Sequence, residues 1–123
     1  MYDQPSLVEL VAVVREFLEH KALPALEGHT AFHARVAANA LGIVERQLER
    51  GAAAEEAERA RLEALLGRAG TLEELNRELC RRIRGGEIGG DDAELMRHLR
   101  ETTLAKLAVD QPRYSGYRKA LED

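Results

Sequence analysis

At 123 residues and a formal net charge of −4, the chain can bury a core without covalent staples, and it is too acidic overall for the broad positive surface that a phosphate backbone requires. Its 45% apolar and 33% charged residues alternate at helical spacing, and its single cysteine excludes an internal disulfide. The expectation is one helical domain over 1–123, with neither nucleic acid nor membrane as a partner.

The first helix is predicted to open at Ser6. Ser6 and Glu9 have capping-box spacing, and Leu7, Leu10, Val11, Val14, Phe17 and Leu18 follow as a stripe. Pro24 disfavours a helical Leu23, so the helix should end near Lys21. The apolar run is broken by Glu9 and has neither a basic leader nor a small-residue cleavage site, so it does not resemble a secretory signal. With the lone Cys80, which suits a reducing compartment, this makes cytoplasm the expected location.

Thr30 to Arg50, TAFHARVAANALGIVERQLER, reads as the central helix, about six turns long. Phe32, Val36, Asn39, Ala40, Ile43 and Val44 share one face, which is expected to be buried, while Ala34, Ala37, Ala38 and Gly42 admit close neighbours elsewhere. Gly51 should end it. A third, peripheral helix is expected over 53–66. A fourth opens with the capping box of Thr71 and Glu74, carries Leu72, Leu75, Asn76, Leu79, Cys80 and Ile83 on one face, and stops at Gly85 and Gly86. A fifth starts after Asp91 and runs to about Val109 through Leu95, Leu99, Thr102, Leu104 and Leu107. Pro112 then interrupts the chain, and 111–123 is expected to be a C-terminal tail or a short helix. No segment reads as a strand. The predicted fold is all-α, a mostly antiparallel bundle of about five helices with Thr30–Arg50 at its centre.

Several side chains could carry chemistry. His29 and His33 are four apart, but no HExxH, CxxC or ExxH pattern supplies further ligands, so no metal is expected and His33 reads as an imidazole partly buried beside Phe32. Asn39 and Asn76, the only asparagines, fall on apolar helix faces, where they either make a structural hydrogen bond or line a polar pocket. A hairpin of the fourth and fifth helices would bring Cys80 level with His98, a pairing that could generate a thiolate. The plainer reading is a buried cysteine beside an exposed histidine. Arg77, Arg81 and Arg84 follow a spacing that could meet a partner's carboxylate or phosphate, although the helix dipole alone accounts for basic residues there. GGEIGG lacks the strand and the Lys–Ser/Thr pair of a phosphate-binding loop. Arg113, Tyr114, Tyr117 and Arg118 in the tail suit a protein interface, or else fold back to close the bundle.

The segments QPSLVELVAVVREFLE, AFHARVAANALGIVERQLE, LNRELCRRIRGG and LMRHLRETTLAKLAVDQPRYSGYR resemble a family of small bacterial proteins known only as a domain of unknown function. The resemblance covers nearly the whole length. It implies a place beside, or fused to, aminoglycoside-phosphotransferase-like kinases, with acyl-CoA dehydrogenase-like genes nearby. It carries no catalytic residue onto this chain, which lacks HxDxxxxN and a metal-binding DxD, so phosphoryl transfer would belong to the neighbour. The expected function is a non-catalytic helical accessory module without a cofactor, partnering another protein such as a kinase-like enzyme, and self-association is compatible with it. The alternative is a small enzyme or ligand-binding protein whose inter-helix pocket uses His33, Asn39, Asn76, Cys80 or His98.

Overall fold

A computed structural model describes residues 4–123 of the chain. The described residues are all-α, without a strand. α1 spans Leu7–Phe17, α2 Gly28–Leu66, α3 Leu72–Arg84, α4 Ala93–Asp110 and α5 Ser115–Glu122. The first helical run ends as expected: a π-helical turn, Leu18–Ala22, stops within one residue of Lys21, and a short 3-10 turn, Leu23–Ala25, then places Pro24 where its missing N–H costs little. Both bounds of α2 differ from the sequence expectation, since it opens at Gly28, two residues before Thr30, and ends well beyond Arg50. The second helix does not stop at Gly51. It takes in the expected third helix, because one glycine costs roughly 1 kcal/mol and AAAEEA beyond it is among the best helix-forming sequence available. The fifth helix is therefore the tail.

The chain divides into two compact units, residues 1–51 and 52–123, with α2 contributing its first part to one and its second part to the other. In the first unit, the Ser6 side chain accepts a hydrogen bond from the Glu9 backbone N–H at 3.2 Å, opening α1 as its sequence requires. The guanidinium of Arg15 bonds both carboxylate oxygens of Glu45 on α2 and, at 3.0 Å, the carboxylate of Glu19 in the π-helical turn that follows α1. The helix faces are reversed from expectation. Ala38 and Gly42 are buried and Ala31, Ala34 and Leu41 half-buried, whereas Phe32, Val36, Ile43 and Val44, expected to be core, stand in solvent. The Arg15–Glu45 bridge lies on this side of α2, and the space over Gly42 is filled by the guanidinium of Arg46 on the same helix. Two helices share one contact surface, and the bulky stripe is left outside it.

The second unit has a conventional core. Leu62 and Leu66 of α2, Leu75 and Leu79 of α3 and Leu95 of α4 form one buried cluster, flanked by Leu65, Leu72 and Ile88. Leu62 and Leu75 have no exposed surface, and each contributes about 1.5–3 kcal/mol relative to exposure. The Thr71–Glu74 capping box is complete in both directions, at 3.2 and 3.1 Å. Asp92 caps α4 by accepting from the backbone N–H groups of Glu94 and Leu95. The tail helix is held to α4 by the Arg100 guanidinium, which donates to the Ala120 carbonyl at 2.9 Å.

Candidate functional site

Leu75 and Leu79 turn one side of α3 into the core, so the other side faces out. Leu72, Glu73, Asn76, Arg77, Cys80, Arg81 and Arg84 line an open depression of about 890 Å3 there. Its arginines are largely engaged. Arg77 pairs with Glu73 at 2.6 Å, and Arg81 with Glu78 at 2.8 Å and Glu87 at 3.2 Å, whereas Arg84 has no ion pair among the described residues. Hydrogen bonds from Arg81 and then Arg82 pull the Glu78 carboxyl down to about 2. These side chains form a charged lattice along the helix rather than a row of free cations. Asn76 is committed as well, since its amide donates to the Leu72 carbonyl at 3.1 Å and to Glu58 at 3.4 Å.

His98 lies elsewhere. It is buried, against the expectation of an exposed histidine, and Cys80 is exposed, against that of a buried cysteine. The reason is tertiary: Leu95 fixes α4 against the leucine cluster, and His98, three residues on, follows it inward. The Arg61 Nε–H donates to His98 Nδ1 at 3.3 Å while another guanidinium nitrogen reaches Thr102 Oγ1 at 3.1 Å, and Glu101 balances the charge at 3.3 Å. Burial, and secondly the Arg61 cation, push the His98 imidazole below its ordinary value. It is therefore neutral near pH 7, with its proton on Nε2. A small crevice of about 270 Å3 opens beside it, lined by Ala60, Arg61, Ala64, Leu65, Glu94, Arg97 and His98. Cys80 and His98 line different depressions, so the thiolate-generating pair does not form.

The other sequence candidates are also placed. His33 meets Phe32 edge to face at 5.5 Å but is exposed, not partly buried as expected, because Phe32 itself stands in solvent. Asn39 is exposed on α2 and makes no side-chain hydrogen bond to a described residue. Among the described residues, no three His, Cys, Asp or Glu side chains converge on a metal-sized site. In the tail, Tyr117 is half-buried and Arg113, Tyr114 and Arg118 are exposed. Sequence reasoning missed Arg61. Its partners lie 37 and 41 residues away, so no local spacing announces it.

No helix among the described residues is long and apolar enough to cross a membrane. No curated protein and no solved structure matches the chain. A family description does match, over residues 24–114, from the end of the first helical run to the residue before α5. The stretch includes α2, α3 and α4 entire, with the leucine cluster, the Arg61–His98 pair and the α3 depression, and on that extent the chain belongs to the domain of unknown function family DUF6285.

Proposed function

We propose that the protein is a non-catalytic helical module that docks another protein, and that a kinase-like enzyme of small-molecule or acyl metabolism in a bacterial cell, the neighbour implied by the resemblance, is that partner. The observation that carries this reading is α1's uncovered stripe. Leu7, Leu10, Val14 and Phe17 recur at steps of three, four and three residues and are 68%, 48%, 50% and 56% exposed. An amphipathic helix that keeps its apolar side in water is built to lie in another protein's groove. Co-purification with the kinase-like protein tests it. The wild-type chain is expected to retain the enzyme, and Leu10→Glu with Phe17→Glu to lose it while the circular dichroism of the helices is unchanged. Undiminished retention by that variant would overturn the reading.

The crevice beside His98 favours a second reading, a small-ligand site. It is enclosed on several sides and offers Arg97, held only at 3.7 Å by Glu94, to an anionic group. Of the five pocket residues expected from the sequence, His98 alone lines it, and Asn76 and Cys80 belong to the open α3 face. Mass spectrometry of the purified protein decides between the readings. A stoichiometric metabolite that disappears in Arg97→Ala would favour the crevice.

A further inference from the structure

We propose that α2's outward stripe binds a second copy of this chain, the two helices running antiparallel about a two-fold axis at Asn39 and Ala40. Phe32, Val36, Ile43 and Val44 are 57%, 49%, 37% and 42% exposed within the first unit, with Asn39 and Ala40 between them, also exposed. The stripe is apolar except at its midpoint. An amide there is poorly matched by a hydrophobic groove, because burial would leave its two donors and its acceptor unpaired. A two-fold copy answers that need, since each Asn39 amide accepts from the other and donates to it, and a lone polar residue of this kind sets register in helix pairs.

The spacing is reciprocal as well. Positions 36 and 43 are equally far from the axis, so Val36 of each copy meets Ile43 of the other, and Ala40 beside the axis lets the backbones approach. Antiparallel pairing sets the two helix dipoles head to tail, whereas a parallel pair would align them and stack Arg50 on Arg50. At ordinary residue areas the stripe offers about 400 Å2 of apolar surface per copy. A standard interface of ~800 Å2 per partner is a little over half apolar, so the area is close to what a stable dimer needs. The inference shares with the proposed function the premise that the first unit's exposed stripes are docking surfaces, but it uses α2 where that reading uses α1.

Light scattering on the eluting protein is expected to give twice 13.7 kDa, and Val36→Glu, with helix content unchanged, to give 13.7 kDa. In a Cys80→Ser chain, Asn39→Cys is expected to cross-link as a dimer with a short bis-maleimide. Glu49→Cys should not, because antiparallel pairing separates the two copies of position 49 by roughly 30 Å along the axis. A wild-type chain that stays at 13.7 kDa at its highest soluble concentration would overturn the dimer, as would cross-linking through position 49 in place of 39. A monomer that still retains the kinase-like enzyme would sink the dimer alone, whereas a dimer indifferent to that enzyme would sink the proposed partner alone.

Discussion

A buried imidazole held by a guanidinium is an uncommon arrangement, because both groups are bases and only one can carry the charge. In the Arg61–His98 pair the guanidinium donates to the imidazole, and its charge disfavours a second one on His98 beyond the effect of burial. Glu58 and Glu101 oppose that shift without cancelling it. The folded state therefore keeps His98 neutral at pH values where the unfolded chain, titrating near the ordinary 6.5, takes up a proton. Stability from this residue is complete above about pH 6.5 and declines as the pH falls below it. His98→Gln keeps an acceptor for Arg61 and removes the titration. Urea midpoints measured from pH 8 to pH 5 are expected to fall for the wild type around the ordinary histidine range and to stay flatter for the variant. Equal slopes would show that His98 takes up no less proton folded than unfolded. The Glu78 carboxyl obeys the same linkage in a lower window, since its stabilising ionisation is lost only as the pH drops from 4.5 toward about 2.

Among the elements, α2 separates what the sequence makes legible from what it does not. Caps are local, so the Thr71–Glu74 box forms in both directions as expected, whereas of the Ser6–Glu9 box only the bond to the Ser6 side chain is made among the described residues. The leucine stripe of α3 was equally legible, since Leu75 and Leu79 have no other side on which to lie. Periodicity located an apolar face on Thr30–Arg50 correctly, yet periodicity carries no information about whether a face is covered. The covered face is the one that carries Ala38 and Glu45, whose partner Arg15 lies 30 residues back in the chain, beyond the reach of any local pattern. Gly51 does not end the helix, because a single glycine costs less than the strong helix formers of AAAEEA beyond it supply. Its backbone is helical, so a methyl group there reduces the unfolded chain's freedom and strains no dihedral angle. The new Cβ would meet only the end of the Gln47 side chain, which can swing aside. Gly51→Ala is accordingly expected to raise stability by roughly 0.5–1 kcal/mol. Thermal denaturation checks this, and a loss of that size would mean that α2 bends at residue 51.

At the scale of the whole molecule, the units differ in how they are stabilised. Residues 52–123 own five clustered buried leucines and Val109, whereas the first unit's one buried hydrophobic side chain among the described residues is Ala38. An alanine supplies little transfer free energy, and the Arg15–Glu45 bridge adds on the order of 1–3 kcal/mol as a charge-assisted contact, so the first unit rests on half-buried side chains such as Val11, Leu18 and Leu41 instead of a closed core. If a second copy covers α2, the missing burial is supplied by mass action, and the opening free energy of the first unit depends on concentration. Hydrogen exchange reads this element by element. Amides of α1 and of residues 30–50 are expected to exchange more slowly as protein concentration rises through the dimer's dissociation range, while those of α3, anchored by Leu75 and Leu79, keep a constant rate. Val36→Glu should abolish the concentration dependence and leave α3 as slow as before. Protection of α1 equal to that of α3 at every concentration would mean that the first unit is cohesive without a partner, and its exposed stripes would then have no role in holding it together.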